Sequence, residues 1–112
     1  VVDQPELCTF TVPSIVHRGD LVIAIQTGGR SPALARRLRE ELELRFGPEY
    51  GPYVDFLGRM REWIREHFHD DPDRRYSAAM QLIELELIHY FIEGKEDLAE
   101  EVAKKCILSS LD

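Results

Sequence analysis

The stretch LVIAIQTGGRSPALARRLREELE, residues 21–43, constrains the fold of this chain more than any other. Leu21 to Ile25 form a short apolar run, β-branched or aliphatic, of the kind that fits a strand covered on both faces. Gly28 and Gly29 break it. Paired glycines permit a sharp turn and a close approach by a ligand, because no Cβ intervenes. Ser31 is a preferred N-cap, and Pro32 suits the first turn of a helix, where its missing N–H costs nothing. Leu34, Leu38 and Leu42 then share one helical stripe, while Arg37 with Glu41, Arg39 with Glu43 and Glu41 with Arg45 stand at i,i+4. The expectation is strand, glycine turn and helix N-terminus, with free backbone N–H groups suited to an anionic ligand. A plain tight turn before a capped helix has the same appearance. Neither G-x-G-x-x-G nor G-x-x-x-x-G-K-[ST] occurs, so no nucleotide signature accompanies the turn.

The chain upstream of this stretch reads as extended. Cys8, Phe10 and Val12 alternate with Thr9 and Thr11, the period of a half-buried strand. Pro13 ends that strand, bulges it or confines it to an edge. Ser14-Ile15-Val16 continue the extended pattern, and His17-Arg18-Gly19-Asp20 supply turn chemistry. Residues 8–26 are therefore expected to form two antiparallel strands. A lone hairpin is marginal in water, so these strands need a partner: an upstream domain, the helices, or a second copy of the chain.

Beyond Glu43 the pattern is helical. Gly47-Pro48 and Gly51-Pro52 mark a break. Tyr53, Phe56, Leu57, Met60, Ile64 and Phe68 recur at helical spacing, and Asp70-Asp71-Pro72-Asp73 ends that helix and caps the next. Tyr76, Ala79, Met80 and Ile83 form a third stripe, continuing or kinking through Leu87 to Phe91. Leu98, Val102, Ala103 and Cys106 form the last. These stripes read as helix-packing core. The fold class expected is α+β: a short β-hairpin followed by a helical bundle.

Charge excludes some functions. The chain has 112 residues and a net charge of −7. Residues 69–112 hold 5 basic and 11 acidic side chains, a net of −6. No segment has the basic excess that a phosphate backbone requires, so no nucleic-acid partner is expected. Arg18, Arg30, Arg36 and Arg37 near the turn suit a small polyanion or simple solvation. No apolar run approaches the ~20 residues that span a membrane, and no membrane partner is expected. Cys8 and Cys106 belong to no C-x-x-C pair and read as small buried hydrophobes, consistent with a reducing, cytoplasmic setting. His67 and His69 point about 200° apart on a helix, so they fit a solvated helix end better than a metal site. No metal site is expected.

Together, VVDQPELCTF, VPSIVHRGDLVIAI and TGGRSPALARRLREELE resemble one family. They are similar to the middle of siroheme synthase and its relatives, the NAD-dependent precorrin-2 dehydrogenases, some of which are also sirohydrochlorin ferrochelatases. The residues that carry the resemblance are Asp3, Pro5-Glu6-Leu7-Cys8, Pro13-Ser14-Ile15, the run from Thr27 to Ala35, and Leu38-Arg39. The resemblance is specific over residues 1–43 and generic beyond.

The resemblance implies a homodimer with strands exchanged across a two-fold. Residues 1–47 would be the end of a Rossmann domain plus a dimerisation segment, and residues 48–112 a helical C-terminal domain. It implies NAD bound by an upstream Rossmann domain missing from this chain. The substrates would be tetrapyrroles, precorrin-2 and sirohydrochlorin, with ferrous iron as a further substrate in the chelating members. Asp3 matches the family's essential aspartate, a general acid/base. Thr27 stands where some bifunctional members have a serine that contacts the tetrapyrrole. Gly28, Gly29 and Ser31 would face the carboxylate-rich substrate. A non-catalytic dimerisation or regulatory module on the same scaffold is the alternative.

Overall fold

Two short strands open the part of the chain that the computed structural model describes, residues 12–110. β1 (Ser14–Arg18) pairs antiparallel with β2 (Leu21–Ile25), Val16 opposite Ile23 and Arg18 opposite Leu21. Gly19 and Asp20 make the two-residue turn between them. Gly19 has φ 59° and Asp20 a negative φ, the pattern of the type II′ turns whose twist matches the strands they join. The earlier alternation around Cys8 and Phe10 lies outside the described residues.

Period-2 geometry sorts the hairpin into two unlike faces. One packs on helix α1 (Pro32–Arg45): Val16 is fully buried there, with Leu21, Ile23 and Ile25 half-buried beside it. The other carries Ile15, His17, Val22 and Ala24, all exposed. The cover expected on both faces of β2 is thus present on one face among the described residues. Arg18, at the end of β1, fastens the far end of α1. Its guanidinium donates to the Phe46 carbonyl (2.8 Å) and the Glu43 carbonyl (3.3 Å), two acceptors that the end of a helix leaves open.

These elements form one compact unit, which ends at Pro48; a second runs from Glu49. The second unit is helical: α2 (Tyr50–His67), α3 (Pro72–Glu84), the short α4 (Ile88–Ile92) and α5 (Glu96–Ser109). Gly51 and Pro52 lie inside the first turn of α2 instead of breaking the chain, because a proline there gives up no hydrogen bond. Tyr53, Phe56, Met60 and Ile64 bury one stripe of α2 against Ala78 and Leu82 of α3, Ile88 and Phe91 of α4, and Ala99, Ala103 and Ile107 of α5. Asp71 caps α3, its Oδ1 accepting the Arg74 N–H at 3.1 Å. The pattern after Ile83 breaks where Glu86 takes a left-handed φ of 51°, which turns the chain into α4.

Two stripes differ from expectation. On α3 the inward residues are Ala78 and Leu82. Tyr76, Met80 and Ile83 are 69%, 43% and 50% exposed, with Ala79 exposed between them. On α5 the buried row is Ala99, Ala103 and Ile107, which leaves Leu98 45% exposed and Val102 half-buried. Both helices are apolar on more than one face, so periodicity alone selects the wrong row. Among the described residues no helix is long and apolar enough to cross a membrane.

Tyr53 makes this core sensitive to alkali. Burial pushes its phenol above the usual tyrosine value, and Tyr50 and Glu86 nearby add to the effect. Its ring sits against Phe56 and Phe91, with centroids 6.4 and 5.5 Å away. In the unfolded chain the phenol ionises near pH ~10. The folded value is higher, so the stabilising contribution is complete below that pH and is lost as pH rises through the folded value. Thermal melts between about pH 9 and 11 are expected to show a falling midpoint that Tyr53→Phe flattens.

Candidate functional site

The turn between β2 and α1 is built from hydrogen bonds among its own residues. The Thr27 carbonyl accepts the Arg30 N–H at 3.2 Å, closing a four-residue turn. Its central residues, Gly28 and Gly29, have φ values of 66° and 78°, the double left-handed pattern of a type I′ turn. A Cβ on Gly28 would meet nothing within 4 Å, so backbone conformation, not space, demands glycine there.

Side chains then tie the turn to the helix. Thr27 Oγ1 accepts the Ser31 N–H at 3.0 Å, and Ser31 Oγ accepts the Leu34 N–H at 3.1 Å. The Ala35 N–H bonds to the Ser31 carbonyl at 3.1 Å, and Pro32 has no N–H to offer. Of the donors at the start of α1, the Ala33 N–H alone is left without a partner among the described residues. The N–H groups of Gly28 and Gly29 are likewise open among them. The helix start therefore offers fewer open donors to an anion than expected, since its own caps consume most of them.

The half-buried Thr27 hydroxyl has spent one lone pair on Ser31 and keeps its proton to donate. It opens into a cavity of about 250 Å³ lined by Ser14, Ile25, Thr27, Gly29 and Pro32, with Val12 at the edge. That volume lies below the ~300–1,000 Å³ of sites that enclose a small molecule. It suits one edge or one acidic side chain of a larger ligand.

Cations near the turn are mostly committed elsewhere. Arg18 holds the opposite end of α1. Arg36 pairs with Glu40 and Arg37 with Glu41, each at 3.3 Å along the exposed helix face. Arg30, exposed at the turn itself, has no ion pair among the described residues. The structure thus gathers Thr27, Gly28, Gly29 and Ser31 at one place. Asp3 lies outside the described residues. Ser14 and Ile25 also reach the cavity, which their motif does not announce. The register does: counting back from the Gly19-Asp20 turn pairs Ser14 with Ile25 at the open end of the hairpin.

The remaining candidates make local contacts. His67 stacks on Trp63, centroids 4.2 Å apart, and His69 Nε2 lies 2.9 Å from an Asp70 carboxylate oxygen. Cys106 is free and half-buried in α5. No three His, Cys, Asp or Glu side chains gather around a metal position among the described residues.

Known proteins match the same region. Residues 18–44 match the family described as sirohaem biosynthesis protein central. A siroheme synthase from Nitrosomonas europaea is 32% identical over 112 residues, the whole of this chain and 23% of that protein. One from Thioalkalivibrio sulfidiphilus is 37% identical over the same 112 residues, again 23% of its length. One from Ruthia magnifica is 46% identical over 76 residues, 68% of this chain and 16% of that protein. Among solved structures, SirC, precorrin-2 dehydrogenase, matches with a TM-score of 0.66 at 25% identity, covering 88% of this chain and 48% of its own. The chain spans 23% of the length of the curated relatives it matches from end to end.

Proposed function

We infer, from the membership of this chain in the siroheme synthase family, that it forms the tetrapyrrole side of a longer enzyme of siroheme biosynthesis. In this reading the longer enzyme oxidises precorrin-2 to sirohydrochlorin with NAD. The observation that carries it is the turn at Thr27: left-handed glycines and an open hydroxyl proton lie within the residues that match the family, beside a shallow cavity. A tetrapyrrole of this pathway bears many carboxylates on a flat ring. The Thr27 hydroxyl, the open N–H groups of Gly28, Gly29 and Ala33, and the Arg30 guanidinium are all donors suited to one of those carboxylates.

The residues of this chain do not fit a dinucleotide, since neither glycine fingerprint occurs in it. NAD is therefore assigned to another part of the longer enzyme. Dehydrogenation also removes a proton, and Asp3 is the carboxylate assigned to take it. In members that chelate, ferrous iron enters as a substrate. The exposed face of Ile15, His17, Val22 and Ala24 is assigned to a second copy, which supplies the cover that this face lacks among the described residues.

Thr27 gives the test. Thr27→Val in the longer enzyme keeps the shape and removes the hydroxyl. A hydrogen bond to a charged group contributes about 1.5–3 kcal/mol, so sirohydrochlorin affinity is expected to fall about tenfold or more. Thr27→Ser is expected to stay within about threefold of the parent, since it keeps the donor. Absorbance titration measures both, with thermal midpoints recorded alongside to register the lost Ser31 contact. Unchanged affinity in Thr27→Val removes this turn from the substrate site.

A further inference from the structure

The misread stripe of α3 points to a second surface. Tyr76, Ala79, Met80 and Ile83 face away from the core, and α2 sets Leu57, Arg61 and Arg65 against them. Between the two rows runs a groove of about 420 Å³. Its floor is apolar. Three arginines line it, Arg61, Arg65 and Arg75, and among the described residues no acidic side chain does, although the chain as a whole has a net charge of −7.

The arginines differ in how freely they can engage another group. Arg75 is held in place, its Nη1 donating to the Phe68 carbonyl (2.9 Å) and the His69 carbonyl (2.8 Å) beyond the last turn of α2. Arg65 makes an exposed ion pair with Glu62 at 3.5 Å, a contact that exchanges readily for a better one. Arg61 has no ion pair among the described residues. The walls are written in helical spacing: positions 57, 61, 64 and 65 on one side and 76, 79, 80 and 83 on the other. Seven residues of helix rise about 10 Å, two turns, which is the length over which a third helix places three or four anchors. Ala79 keeps the floor low enough for such a helix to approach.

We propose that this groove receives an amphipathic helix of a partner protein, with an apolar i, i+3, i+4, i+7 stripe flanked by aspartate or glutamate. The apolar stripe would cover Tyr76, Met80 and Ile83, and the acidic flanks would meet Arg61, Arg65 and Arg75. Charge selects the partner. An acidic helix is drawn to this basic-lined groove, and a basic helix of the same apolar pattern is disfavoured.

The test uses two fluorescein-labelled 18-residue helical peptides with leucine at i, i+3, i+4 and i+7. One is flanked by glutamates and the other by lysines. Anisotropy titration against the full chain is expected to show the glutamate peptide binding at least tenfold more tightly, with the difference shrinking as salt is raised. Arg61→Glu with Arg65→Glu is expected to reverse the preference. Met80→Glu, at an exposed position that leaves the core untouched, is expected to abolish binding of both while the circular dichroism of the chain stays the same. Binding that is absent, equal for the two peptides, or unchanged in Met80→Glu overturns the proposal. So does a double arginine variant that alters the sedimentation of the chain, which assigns the groove to a second copy. A double variant that loses affinity for sirohydrochlorin assigns it to the macrocycle and overturns the proposal equally.

Discussion

Asp3→Ala in the longer enzyme is expected to lower turnover of precorrin-2 by about 10²–10⁴-fold, the usual contribution of a positioned general acid or base. Affinity for NAD is expected to be unchanged, because no residue of this chain is assigned to the dinucleotide. The two quantities are read separately, turnover from the absorbance of sirohydrochlorin as it forms and NAD binding from nucleotide titration in the absence of tetrapyrrole. Turnover within threefold of the parent removes Asp3 from the chemistry. Loss of NAD binding alongside turnover makes Asp3 a residue of the dinucleotide site instead.

The second large effect concerns stability. Phe56 is 1% exposed and lies 5.3 Å, centroid to centroid, from the Phe91 ring and 6.4 Å from that of Tyr53. Truncation to alanine removes its contacts and leaves a cavity, at a cost of about 3–5 kcal/mol. The helical unit runs from Glu49 to Asp112, and a unit of that size is stabilised by only about 3–10 kcal/mol in total. Phe56→Ala is therefore expected to bring the unit to the edge of unfolding, seen as a large drop in its urea midpoint. Met80→Ala supplies the contrast. Met80 is 43% exposed, and its loss is expected to change stability by about 0.5 kcal/mol or less. Equal losses from the two variants contradict the assignment of Met80 to an open groove.

The contrast between Phe56 and Met80 also shows what was legible before the structure was known. The stripe of α2 was legible because it is strong: Tyr53, Phe56, Met60 and Ile64 recur at helical spacing on one face, and all four are buried. The stripe of α3 was not. Alanine and leucine at positions 78 and 82 compete with Tyr76, Ala79, Met80 and Ile83, one or two positions away, and periodicity cannot say which row meets the core. Tertiary packing decides, and it buries Ala78 and Leu82. The break before α4 was only half legible, since a left-handed Glu86 carries no sequence signal of the kind that glycine carries at Gly28.

At the candidate site the same division holds. Thr27, Gly28, Gly29 and Ser31 were legible because each has a local reason to be there: a turn that needs left-handed residues, and a cap that needs a hydroxyl. The direction in which Thr27 spends its hydroxyl was not legible, and it reduces the open donors on the first turn of α1 to the Ala33 N–H. Arg18 shows the limit most plainly. Charge alone placed it with the cations available to a polyanion, whereas pairing in the hairpin carries it to the other end of α1, where it caps Phe46 and Glu43.

The central claim, a dehydrogenase of siroheme biosynthesis built on this turn, is tested most directly by turnover. The longer enzyme is mixed with precorrin-2 and NAD, and the absorbances of sirohydrochlorin and NADH are followed together. Both are expected to rise in equal amounts, and to stop rising when either substrate is withheld. A protein that forms its dimer and binds the tetrapyrrole but produces neither sirohydrochlorin nor NADH would contradict the claim, leaving a non-catalytic module on the same scaffold.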